Sequence, residues 1–192
     1  MVFPVLVGQV GEYFYMSQRK AIWGWFFYDW AGQPFHTLLM TFIFGPYFVI
    51  VASQYYLGFG LEENLADAQA QIIWSWCLAI TGLIVGFGGP ILGAIADTTG
   101  RRLPWIKSFS VIYIATAFAL WFTLPDGSNM WLMLSIFGIC FIAAEYTYIF
   151  TNAQLPSLGS LDEIGKISGS GFGFGYACLL YTSDAADDQA SG

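Results

Sequence analysis

Charge is what this 192-residue chain has least of: only 10% of its residues are charged, six Lys and Arg against thirteen Asp and Glu. A soluble domain carries about 25%, so water is excluded as the solvent for most of this surface. Six bases are also too few for a basic stripe, and no nucleic-acid partner is expected. Cysteine is nearly absent. Cys77, Cys140 and Cys178 show neither disulfide nor metal-ligand spacing and read as small packing residues. Histidine occurs once, at His36. With no His/Asp cluster and no nucleophile–base pair in the pattern, neither a metal, a cofactor nor an enzymatic activity is expected. The glycine-rich 169–175 stretch follows no strand and lacks a P-loop lysine, which excludes a nucleotide loop.

Apolar residues make up 57% of the chain and aromatics 19%. Leu78–Ala96, Ser108–Pro125 and Gly127–Ala144 contain no charge, and Asp29 is the one charge within Ala21–Leu61. A membrane helix needs about 20 such residues, whereas strand alternation, the mark of an outer-membrane barrel, is missing. The pattern predicts an all-α membrane protein embedded in a lipid bilayer. Spans are expected at 22–51, 70–96, 106–124 and 130–155, with a truncated fifth at 167–177.

Between these spans all the bases fall on one side. Arg19, Lys20, Arg101, Arg102, Lys107 and Lys166 share it, and the other side holds Glu62, Glu63, Asp67 and Asp126. The positive-inside rule then puts the N-terminus in the cytoplasm. Trp23, Trp25 and Trp30 are expected at the inner interface, and Trp74, Trp76, Trp121 and Trp131 at the outer one.

The two ends read differently from the middle. Met16-Ser17-Gln18-Arg19-Lys20 resembles a natural start, so residues 1–15 are expected to be a non-native extension. Residues 178–188 resemble the in-frame translation of a sequencing-library adapter, so 178–192 is expected to be an artefactual tail that breaks the fifth helix.

The segment Gly93-Ala94-Ile95-Ala96-Asp97-Thr98-Thr99-Gly100-Arg101-Arg102 is a charged hairpin between two apolar runs. It resembles the loop between the second and third spans of major facilitator superfamily transporters. Tyr28-Asp29-Trp30-Ala31, together with Phe150–Pro156 and Gly173-Phe174-Gly175-Tyr176, is similar to the vacuole-effluxer-like branch, whose fungal relatives export amino acids. The resemblance covers 16–177, and Thr98 departs from the basic residue often found there. It implies part of the N-terminal six-helix half of a twelve-span transporter, with the C-terminal half as missing partner. It also implies a small-molecule solute, and a latch between the halves formed by Asp97 and Arg101 with Gly93, Gly100 and Arg102.

In that fold the first and fourth spans line a central cavity at the membrane midplane. Ionisable residues inside a membrane are costly and should face such a cavity. Two acids fall within spans, Asp29 in the first and Glu145 in the fourth. Asp29, Gln33, His36 and Met40 are spaced to share one helical face, interrupted at Pro34, which removes a backbone bond. Glu145, Tyr148 and Asn152 share another. These residues are the expected solute or proton pathway; ion coupling is expected with the ion itself left open, protons being one candidate, and the setting is a plasma membrane. Pairs Gly82/Gly86, Gly89/Gly93, Gly169/Gly173 and Gly171/Gly175 are expected to let helices pack closely. The rival reading is a non-transporting membrane sensor or scaffold.

Overall fold

The computed structural model describes the backbone of residues 3–99 and 102–190, and the side chains of 18–98, 102–177 and 179–181. Among these residues there is no strand. Six α-helices follow one another: α1 (Phe3–Gln33), α2 (Gly45–Gly58), α3 (Glu63–Thr99), α4 (Leu103–Ala119), α5 (Met130–Asn152) and α6 (Leu161–Ala190). A π-helical stretch, Pro34–Phe44, joins α1 to α2, and short 3₁₀ turns follow α4 (Leu120–Phe122) and α5 (Leu155–Ser157). The all-α class is as the sequence predicts, and it accords with half of a major facilitator.

Four segments are long and apolar enough to cross a membrane: Gln18–Gly58, Glu63–Thr98, Leu103–Phe122 and Met130–Ser157. The first, second and fourth contain an expected span and run past it, whereas the third starts three residues before the expected 106–124 and ends two short of it. Only 11% of the apolar window of the second and of the third is buried within the chain. Phe87, Val111, Phe118 and Trp121 stand at least two-thirds exposed. A surface this apolar is stable facing lipid and unstable facing water.

The chain divides into two compact units. One comprises residues 35–150, which include π-helix Pro34–Phe44 from Phe35 onward, α2, α3, α4 and most of α5. Its core stacks Phe44 on Phe137 at 5.2 Å and Trp74 on Phe137 at 4.7 Å, around fully buried Phe48 and Met130. Trp74 is half-buried and packs against this core, whereas Trp76, Trp121 and Trp131 are exposed. At one end Ser53 donates a short hydrogen bond to Asp67, tying α2 to α3. Gly60, with φ of 85°, ends α2 in a left-handed conformation that frees the chain to turn.

The turn between α4 and α5 has similar logic. Gly127 has φ of 72°, and a Cβ there would stand 2.8 Å from the Tyr55 Cβ. Asp126 accepts hydrogen bonds from the Ser128 backbone N–H and hydroxyl, which hold its carboxyl below the usual carboxylate range. A depressed folded value means that the contribution is complete above the ordinary 3.8 and lost as pH falls through the folded value. The Asp126→Ala variant should therefore melt below the parent at neutral pH, and the gap should close in acid. Thermal unfolding followed by circular dichroism at the two pH values checks this.

The other unit comprises residues 1–34 and 151–192, in which α1 packs along α6. Ser160 and Glu163 form a capping box at the start of α6: the Ser160 N–H and hydroxyl both donate to Glu163 Oε2. The Trp25 indole donates to the Thr151 carbonyl at 3.2 Å, and the residue is buried. Trp25 is thus held by helix packing; Trp23 is half exposed and rests on Phe174.

Glycine spacing proves half right here. Gly171 and Gly175 meet α1, where a Cβ would run into the Trp25 ring and the Gln33 side chain respectively. Gly169 and Gly173 face open space. The helix α6 also does not break at Cys178; its backbone continues to Ala190, since residues 178–190 contain no glycine or proline to stop it. Most side chains of 1–15 and 178–192 lie outside the described residues.

Candidate functional site

Within the larger unit the π-helical stretch carries His36 and α5 carries Glu145. Their side chains meet, with His36 Nδ1 at 3.6 Å from Glu145 Oε1 and each a little under one-third exposed. The Tyr148 ring, one turn beyond Glu145, lies 6.0 Å from the imidazole. On its other side His36 is steadied edge-on by buried Phe35, which itself packs on Tyr113 of α4. Three of the expected pathway residues, drawn from the first and fourth spans, are therefore neighbours.

The spacing argument fails at one point. Asp29, Gln33, His36 and Met40 share a face only if the helix keeps 3.6 residues per turn throughout. From Pro34 to Phe44 the backbone is π-helical, closing i→i+5 bonds, and the face drifts. Pro34 lacks the N–H that an α-helix would use, and Gly45 ends the stretch where a Cβ would crowd the Met40 carbonyl. The Thr41 hydroxyl donates to the His36 carbonyl five residues back, in step with the π register. Within the smaller unit Asp29 and Gln33 lie opposite Gly175 of α6. Met40 lines a different feature, a groove of about 570 Å³ between α2 and α3 whose polar members are Thr41 and Gln71. Asn152 is the last residue of α5 and is half-buried.

In the hairpin Asp97 is paired, but with Arg102: Nε and one terminal nitrogen of the guanidinium stand 3.0 and 2.6 Å from Oδ1. Gly100 and Arg101, also expected in the latch, lie outside the described residues. The pair is local because Arg102 begins the next helix only five residues on. With Asp97 more than half exposed, such a pair stabilises by at most about 1 kcal/mol. Asp97→Asn should accordingly leave the melting temperature within error, and a clear loss of stability would show that the carboxylate holds more than Arg102.

The glycine positions of α3 also need correcting. Gly82, Gly86 and Gly93 face open space, and Gly89 makes only an ordinary contact with Ile149. The close approach is at Gly88, which the sequence pattern did not single out. Tyr146 of α5 lies across it and donates from its hydroxyl to the Ile84 carbonyl at 2.8 Å. No period marks this position, because the determinant is a single aromatic hydroxyl on another helix.

No family model matches the chain, and no solved structure matches it. It is 29% identical over 153 residues to a Bacillus subtilis (strain 168) protein named "uncharacterized MFS-type transporter YxiO". The match supports membership of the major facilitator superfamily. It takes in 79% of this chain and 33% of that protein, so the chain spans about a third of the length of the relative it matches. Together with four helices, among the described residues, that are long and apolar enough to cross a membrane, it suggests a multi-pass membrane protein.

Proposed function

We propose that the chain supplies four spans and the beginning of a fifth to a twelve-span secondary transporter, which moves a small solute by alternating access. The observation that carries this reading is the contact of His36 with Glu145, which joins the first and fourth spans through two titratable side chains. Ionisable residues in membrane helices belong to ion or solute paths far more often than to lipid-facing surfaces. On this reading their partial exposure opens onto an aqueous vestibule. Glu145 takes up a proton, and His36 reports its charge to the first span.

The finer assignments follow from the resemblance. The solute class is amino acids, by similarity to the vacuole-effluxer-like branch. The membrane is the plasma membrane, with the N-terminus cytoplasmic because the bases gather on that side. The hairpin 93–102 serves as a conformational latch toward the other half. Lipid, solute and protons are the partners, and no chemistry beyond proton exchange is required of the protein.

The test is counterflow in proteoliposomes loaded with a panel of unlabelled amino acids, using the full-length reading frame that carries this segment. Exchange of a labelled amino acid for its own kind is expected. Exchange of other small solutes only would overturn the amino-acid assignment, and absence of any exchange would overturn transport itself.

A further inference from the structure

One face of α1 carries bases and rings together. Arg19 and Lys20 stand one turn before Trp23, and Phe27 and Trp30 follow it at four and seven residues, so all five lie on one side of the helix. All five are exposed, whereas Trp25 and Asp29 on the other side are buried. Phe174 of α6 stands among the three rings, 6.5 Å from Trp23, 5.8 Å from Phe27 and 6.2 Å from Trp30. Along α1 the rings also meet one another, Trp23 and Phe27 at 5.9 Å and Phe27 and Trp30 at 6.2 Å. Together they make an apolar shelf about 10 Å long with two bases at its polar end.

The polar atoms of this face are not engaged among the described residues. Arg102 is paired with Asp97 and the Trp25 indole donates to Thr151, but Arg19 and Lys20 form no ion pair with a described residue. The indole N–H groups of Trp23 and Trp30 likewise have no described acceptor. The neighbouring helix does not neutralise the bases. Gly171 meets Trp25 and Gly175 meets Asp29, so α1 and α6 run parallel and Lys166 is level with Lys20. Of the two acids one turn lower, Asp162 and Glu163, Glu163 accepts from Ser160 and feels the charge of Lys166.

A phospholipid with net negative charge has the complementary order of groups: phosphate, ester oxygens, then hydrocarbon. Guanidinium and ammonium groups bind phosphate, an indole N–H donates to an oxygen at the membrane interface, and the rings cover an acyl chain. Two bases are too few to hold an anionic membrane surface by diffuse attraction, which takes about four to eight. A protein helix laid on this face would strip water from two unpaired bases, whereas an anionic lipid brings their counter-charge. We propose that this face binds one anionic phospholipid, with its phosphate on Arg19 and Lys20, an ester oxygen at the Trp23 indole, and an acyl chain along Phe27, Trp30 and Phe174. Its place in the cytoplasmic leaflet rests on the orientation proposed above. The binding itself requires neither that orientation nor transport.

Native mass spectrometry of the purified full-length protein, offered equal amounts of phosphatidylglycerol and phosphatidylcholine in detergent, counts the lipids retained. One phosphatidylglycerol should be kept in preference to phosphatidylcholine by at least about fivefold, the effect of about one base at a membrane surface. Arg19→Gln combined with Lys20→Gln should abolish that preference, and Lys107→Gln, which alters a base of the larger unit, should keep it. Trp23→Phe retains the ring and every topogenic charge and removes the indole N–H. It should lower retention of phosphatidylglycerol, and it covers the case in which the double variant does not insert. Excess inorganic phosphate should not displace the lipid. Equal retention of the two lipids would overturn the proposal, as would a preference that survives the double variant and Trp23→Phe, or one lost equally in Lys107→Gln. Displacement by inorganic phosphate would also overturn it, by showing an anion site that makes no use of the shelf. Retention of no lipid at all would do the same, since another helix of the protein then covers the face.

Discussion

Glu145→Gln is expected to cut solute accumulation driven by a pH gradient at least about tenfold, the effect of about 1.4 kcal/mol in coupling, while the protein still inserts and remains monodisperse. The substitution keeps size and hydrogen-bonding shape and removes only the ability to exchange a proton. His36 is 3.6 Å away and loses its carboxylate neighbour with the substitution. His36→Gln should therefore weaken coupling less than Glu145→Gln, and the double variant should resemble the Glu145 variant. Uptake into proteoliposomes with and without an imposed gradient measures both. Undiminished accumulation by Glu145→Gln would remove the proton from the mechanism.

The second large effect concerns Gly88. A Cβ at this position would fall on the Tyr146 hydroxyl, with the ring carbon that bears it 3.0 Å away. Tyr146 is buried and its hydroxyl is anchored to the Ile84 carbonyl, so it has little freedom to withdraw. Overpacking of this kind costs about 1–3 kcal/mol. Gly88→Ala should lower the melting temperature by several degrees, and Tyr146→Phe, which deletes the oxygen in the way, should restore part of it. A double-mutant cycle by thermal unfolding should give a coupling of about 0.5–3 kcal/mol. Additive losses would mean that the tyrosine swings aside and that Gly88 is not a fixed point of contact. Because Tyr146 is the residue after Glu145, displacing it should also disturb the approach to His36.

How far the sequence goes is clear from these two sites. Apolar run length predicts the four helices that are long and apolar enough to cross a membrane among the described residues, because the cost of burying charge in lipid leaves few other solutions for such residues. The expected fifth span is not one of them. Rare ionisable residues in apolar runs singled out Glu145 on the fourth span and His36 on the first, but not their contact, which only the structure shows. Facing was not visible at Asp29. Its stripe assumed an unbroken α-helix, and Pro34 changes the register instead of merely bending the rod. Gly88 was hidden for a related reason: glycine spacing names four positions on α3, and the one that matters is chosen by a partner 58 residues away.

The π-helical stretch has a further consequence. A π-turn holds more residues than an α-turn over the same rise, so Pro34–Phe44 stores surplus backbone in the middle of a span. Shortening the chain by one residue there can be absorbed by a turn relaxing to ordinary winding, with the flanking helices left in register. The same deletion in the uniformly wound α3 has nowhere to go and rotates all that follows. Tolerance of length change, normally a property of loops, is thereby lodged beside the only histidine of this protein.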